Sequence, residues 1–178
     1  MKFEKNIETK AKFKNIIKGN EMLSSTVIID SKSIPTHNVF EKKGFDGNKK
    51  IKGVKLNIVV DLSGFILEST LTPANIHDTI GGLNVMDKCL NKYTNISTII
   101  ADKGYRGFFY NYFTNEKNIK VDINQNKTFG FLINSFRWIF ERTFAWLIKN
   151  KRLVNVYERF NSSFLFFVKL ANFRLAMK

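Results

Sequence analysis

Short β-branched runs alternate along the chain with longer stretches of helical spacing. In STVIIDSKSI, the apolar run Val27-Ile28-Ile29 stops at Asp30, the pattern of a buried strand with a carboxylate at its carboxyl end. ISTIIADKGYRG repeats the theme, an isoleucine-rich run ending at Asp102 ahead of Gly104. Between the two, IKGVKLNIVVDLSGFILESTL reads as two strands joined by the turn Asp61-Leu62-Ser63-Gly64, a hairpin. Residues 36–50, rich in Gly, Asn and Lys, read as a loop. Pro73-Ala74-Asn75 closes the second hairpin strand, and Asp78 takes the N-cap position of a helix to about Leu90. A helix from about Arg106 to Asn115, a short strand IKVDI and a turn-like segment Asn124–Gly130 follow. From about Leu132 the spacing predicts two helices, one to about Lys149 and one from about Ser162 to the end. Residues 1–25 read as a charged helical lead-in, with Phe3, Ile7 and Ala11 near helical spacing and Gly19-Asn20 as a stop.

The predicted order is βββαβαβα with a further C-terminal helix. A hairpin followed by strand–helix alternation implies an α/β fold, a mixed sheet with helices packed on it. No repeat or linker divides the chain, and 178 residues suit one domain. The expected organisation is a lead-in over residues 1–25 and one domain over residues 26–178.

Charge adds a partner to this picture. The net charge is +14, and residues 1–60 and 137–178 each carry +7 while residues 61–136 balance to zero. Basic flanks around a neutral centre point to a polyanion, most simply nucleic acid. The single cysteine, Cys89, excludes an intramolecular disulfide and reads as a small buried apolar residue. No segment has the length and apolarity of a membrane span, so the expected location is cytoplasmic.

Asp30 and Asp102 stand at strand ends, where sites gather in open α/β sheets. Neighbouring strands lie about 4.7–4.9 Å apart, so on adjacent strands the two carboxylates can converge on one cation. Oxygen-only ligands favour Mg²⁺ or Mn²⁺. The alternative is that each aspartate only caps a turn. RWIFERTFAWL supplies a third acid. Asn134, Arg137, Glu141, Ala145 and Lys149 share one helical face, and Ile133, Phe136, Phe140, Phe144 and Leu147 mark another. The helix is expected to lay its aromatic side on the sheet and bring Glu141 to the sheet's carboxyl edge. The alternative for Glu141 is an exposed Arg–Glu pair with Arg137.

Asp30-Ser31, GFDGNKKIKGVK, VVDLSG, TPANIHD, ADKGYRG and RWIFERTFAWLIKNKRLVNVYE, in this order, resemble the catalytic region of bacterial DDE transposases, and the insertion-sequence five family in particular. The resemblance runs from about Ile28 to the carboxyl terminus. It implies a ribonuclease-H-like fold in which two aspartates and one glutamate hold two divalent ions, Mg²⁺ or Mn²⁺. Carried over, these ligands and catalytic residues are Asp30, Asp102 and Glu141. It further implies cleavage of DNA at the ends of an element and transfer of the freed strand to target DNA, by a homo-oligomer assembled on DNA at the nucleoid. Arg137 matches the arginine of a Tyr-x-x-Arg-x-x-x-Glu-x6-Lys signature in the neighbouring insertion-sequence four family. The tyrosine position is Asn134 here and the lysine position is Ile148, with Lys149 one step along.

Arg137 and Arg142 are therefore candidate phosphate contacts. So are Lys49, Lys50, Lys52 and Lys55, in a cluster with Lys42 and Lys43 that only Glu41 and Asp46 offset. Trp138 and Trp146 are expected in the core, and His37 and His77 at a turn and a helix entry. The resemblance also implies a helical DNA-binding region ahead of the first aspartate, where this sequence has 29 residues. Two origins fit: a second reading frame that works with an upstream-frame protein, or a truncated remnant. The functional expectation is a metal-dependent strand-transfer enzyme. The alternatives are a non-catalytic DNA-binding or regulatory remnant and a general nuclease of the same fold.

Overall fold

The structure, a computed structural model, describes residues 25–36, 42–123 and 137–177. Apart from Ser25, the expected lead-in lies outside the described residues, as do His37, the segment Asn124–Gly130 and the helix start at Leu132.

Six strands form one mixed sheet: β1 (Thr26–Pro35), β2 (Gly44–Asp46), β3 (Ile51–Asp61), β4 (Ile66–Pro73), β5 (Thr98–Ala101) and β6 (Lys120–Ile123). One edge of β3 pairs antiparallel with β1. Its other edge is shared, by β2 along residues 51–53 and by β4 along residues 54–60. β5 then joins β1 in parallel, and β6 joins β5 in parallel. The helices are α1 (Asp78–Leu90), the short α2 (Phe108–Asn111) running into a wide turn to Glu116, α3 (Arg137–Ile148) and α4 (Asn161–Ala176). The expected mixed sheet flanked by helices is present.

Alternation along β1 divides the core into two layers. Val27 and Ile29 face one side, with Val59, Ile99 and Val121, and pack under α1 through Val85, Met86 and Cys89. Tyr105, Phe109 and Phe113 complete that layer. Ile28 and Ile34 face the other side, with Leu56, Ile58 and Ile100, under Ile139, Phe140, Phe144 and Leu147 of α3 and Phe164 and Val168 of α4. Full burial of such side chains contributes about 1.5–3 kcal/mol each. Gly82 lets α1 approach closely, since a Cβ there would meet the Tyr105 ring at 2.5 Å.

Four expectations change. β1 does not stop at Asp30 but continues to Pro35, because Ser33 and Ile34 remain paired with β3 and buried. Part of the expected loop is strand β2, held by Asp46, which accepts from the amides of Asn48 and Lys49 and from the Ser33 hydroxyl at 2.6 Å. The N-cap of α1 is His77, whose side chain accepts from Thr79 N–H, and Asp78 sits in the first turn instead. The tryptophans are not core residues: Trp138 is exposed, and both rings stack on Arg142. Cys89 is buried as expected, and burial pushes its thiol up to about 12. Among the described residues no helix is long and apolar enough to cross a membrane.

Candidate active site

Asp30 projects from β1 on the face of Ile28 and Ile34, the face that α3 covers. β1 and β5 are parallel neighbours, with Thr26 opposite Thr98 and Ile28 opposite Ile100. Asp30 comes two positions after Ile28, and Asp102 follows directly on the end of β5, two positions after Ile100. Asp102 caps the single helical turn Lys103–Tyr105, its carboxylate accepting from Lys103 N–H at 2.7 Å. Its capping role is real, and it coexists with its position beside Asp30.

Electrostatics tie the pair together. Burial pushes the Asp30 carboxyl up to about 6, and repulsion from Asp102 and Asp78 adds to this against the Ser31 amide bond and the Lys49 ammonium. A half-buried carboxylate repelled by two neighbouring acids is short of positive charge. Oxygen donors in that state suit a hard divalent cation, which relieves the repulsion directly. The donor chemistry of Asp30 and Asp102 thus suits a divalent cation.

Glu141 is not gathered with them. Among the described residues, no three carboxylate, histidine or cysteine side chains come close enough to hold one ion. The expected three-acid convergence is thus absent from this arrangement, and local anchoring supplies the reason. Arg142 Nη2 donates to the Ser63 carbonyl at 2.8 Å and Thr143 Oγ1 donates to the Gly64 carbonyl at 3.0 Å. These bonds moor α3 to the β3–β4 turn, with Glu141 on its exposed side. The helix nevertheless lies over the right surface: Phe144 receives the Lys32 ammonium at 5.3 Å, and Lys32 is two residues from Asp30 on the same face of β1.

The expected phosphate contacts divide. Lys42, Lys43, Lys49, Lys50 and Lys52 are exposed on and beside the β2–β3 hairpin. Lys55 is not available: it is buried, with Nζ donating to the Ile76 carbonyl at 2.7 Å and paired with Asp78 at 2.8 Å. Nor is the Arg142 guanidinium, which lies between Trp138 and Trp146 at 4.2 and 4.7 Å. Burial lowers its pKa. The side chain of Arg137 lies outside what is described. Sequence reasoning also missed Asp78 as a neighbour of Asp30. Burial works to raise Asp78, but bonds from Lys55 and Ser31 hold it below the usual carboxylate range. The signal was a lysine inside an apolar strand, which demands a charged or hydrogen-bonding partner.

A model of the transposase DDE domain matches residues 21–171. A Burkholderia cepacia protein, assigned as the transposase of insertion sequence element IS402, is 30% identical over 115 residues, covering 60% of this chain and 54% of that protein. The chain thus spans about half the length of that curated relative. Among solved structures, the catalytic core domain of BIV integrase superposes with a TM-score of 0.55 at 11% identity, over 85% of this chain and 83% of that one. At that identity the likeness speaks for the fold alone, which is ribonuclease-H-like. The family generally uses divalent metal ions and acts on DNA. A mixed sheet of this topology and a family match across most of the chain's length agree on one conclusion: the chain belongs to the family of the transposase DDE domain.

Proposed function

We propose that this chain is the catalytic portion of a bacterial insertion-sequence transposase, cutting DNA at the ends of an element and joining the freed strand to target DNA. The observation that carries the reading is the parallel pairing of β1 with β5, with Asp30 two positions past Ile28 and Asp102 two positions past its partner Ile100, their charges close enough to interact. Asp30 and Asp102 would hold two Mg²⁺ or Mn²⁺ ions, and Glu141 completes the set by an adjustment of α3 over the Asp30 face. When bound, such ions supply charge stabilisation to the attacking and leaving oxygens of an in-line displacement at phosphorus. The chain itself orients the carboxylates, excludes bulk water from the Asp30 side and leads DNA in along the β2–β3 hairpin. Assembly as a homo-oligomer on nucleoid DNA, with or without an upstream-frame protein, belongs to the same reading.

The test is nicking of a duplex oligonucleotide that carries the element's terminal repeats. Nicking is expected with Mg²⁺, and neither without it nor in Asp102→Ala. Equal nicking by Asp102→Ala overturns the assignment. A second reading, a DNA-binding remnant without catalysis, draws on the separation of Glu141 from the pair. It predicts binding of the same duplex with no nicking under any metal.

The hairpin lysines give a separate prediction. Lys49 is close enough to lower the Asp30 pKa, so phosphates held by Lys49, Lys50 and Lys52 would run past the carboxylates. Replacing all three by Ala is expected to flatten the slope of log K against log salt by about 0.9 for each phosphate no longer neutralised. An unchanged slope removes the hairpin from the DNA path.

A further inference from the structure

On the face of β1 opposite Asp30 lies a charged cluster that the proposed chemistry does not use. Lys55 is only 7% exposed, in the middle of an apolar strand. Its Nζ meets the Ile76 carbonyl at 2.7 Å and Asp78 Oδ1 at 2.8 Å. The same Asp78 oxygen accepts from Ser31 Oγ at 2.7 Å. Ser31 in turn donates its amide to Asp30 Oδ1 at 2.7 Å. One residue is thus tied by its side chain to α1 on one face and by its amide to the Asp30 carboxylate.

Stability does not account for this arrangement. Lys55 is buried but the Asp78 side chain is 36% exposed, and even a fully buried ion pair contributes little over well-packed apolar side chains of similar volume. What the cluster does provide is a fixed point. Asp78 is held at once by Lys55 and Ser31, in the first turn of α1, where a carboxylate is also favoured by the helix dipole.

We propose that Asp78 and Lys55, acting through Ser31, are positioning residues that fix the Asp30 carboxylate for a divalent cation shared with Asp102. This rests on the metal-site reading above. A carboxylate already held in one orientation loses less freedom when it binds an ion, and outer partners of metal ligands typically change affinity by about 10–100-fold.

The experiment measures Mn²⁺ binding to the purified full chain without DNA, from the EPR signal of free Mn²⁺, alongside thermal melting. Ser31→Ala deletes one hydroxyl and is expected to weaken Mn²⁺ binding about tenfold with the melting midpoint close to that of the wild type. Ser31→Thr keeps a hydroxyl and is expected to restore affinity. Asp78→Ala is expected to weaken binding at least as much; should it fail to fold, Ser31→Ala alone decides. Equal Mn²⁺ affinity in wild type and Ser31→Ala overturns this inference and leaves the metal site standing. A wild type that binds no Mn²⁺ overturns the site and the inference together.

Discussion

Asp30→Asn is expected to give a protein that is more stable at pH 7 and catalytically dead. In the folded chain the Asp30 carboxyl is raised from 3.8 to about 6, by burial first and by Asp102 and Asp78 second. A raised carboxyl binds more protons in the folded state than in the unfolded one between those two values. Its contribution to stability is therefore full below the unfolded value and is lost as pH rises through about 6. The loss is on the order of 2–3 kcal/mol. Asn has no charge to desolvate, and its side-chain oxygen can still accept from Ser31 N–H. The substitution should thus recover about 2 kcal/mol at pH 7 and almost nothing at pH 4. Urea unfolding of both proteins at the two pH values checks this, and an equal difference at both rejects the electrostatic account. Adding Mn²⁺ at pH 7 should stabilise the wild type and leave Asp30→Asn unmoved. Nicking should fall about a thousandfold or more, on the scale of losing a principal charge-stabilising group. Stability gained together with activity lost is the mark of a group kept for chemistry.

The sequence conveyed best what depends on local pattern. The apolar runs before Asp30 and Asp102 form β1 and β5 as read, because β-branched runs of that length have few alternatives to a buried strand. The hairpin turn is as read too: Asp61 accepts from the amides of Ser63 and Phe65, and Gly64 takes φ +86°. What pattern cannot convey is which polar groups meet across the fold. β2 has three residues and no apolar run, and its order comes from Asp46 bonding to Ser33 on β1, a strand with which it does not pair. Lys55 looked like its hairpin neighbours because charge is visible in a sequence and burial is not. Helical spacing put Glu141 on the polar face of α3, and it does lie on the exposed side. Spacing says nothing of how far along the sheet the helix is moored. That is set by Arg142 and Thr143 on the β3–β4 turn.

Arg142→Ala is accordingly expected to destabilise the protein by about 3 kcal/mol, and to do so without touching DNA affinity. The guanidinium stacks on Trp138 and Trp146 at 4.2 and 4.7 Å, contacts of about 1 kcal/mol each when partly desolvated. Its bond to the Ser63 carbonyl at 2.8 Å is charge-assisted and adds about 1.5 kcal/mol. Gly64 makes the approach possible, since a Cβ there would lie 2.9 Å from Thr143 Oγ1 and 3.1 Å from Arg142 Nη2. Arg142→Lys keeps the charge but loses the planar group that both rings face, so it should recover less than half of the loss. Denaturant unfolding followed by tryptophan emission reads both the stability and the stack. Loosening α3 also releases the mooring that holds Glu141 away from Asp30 and Asp102, so nicking by Arg142→Ala should fall no further than its folded fraction explains. The salt slope of DNA binding separates this clamp from the phosphate-binding role that sequence suggested. A clamp leaves the slope unchanged, whereas a slope lower by about 0.9 with stability intact would return Arg142 to the DNA surface.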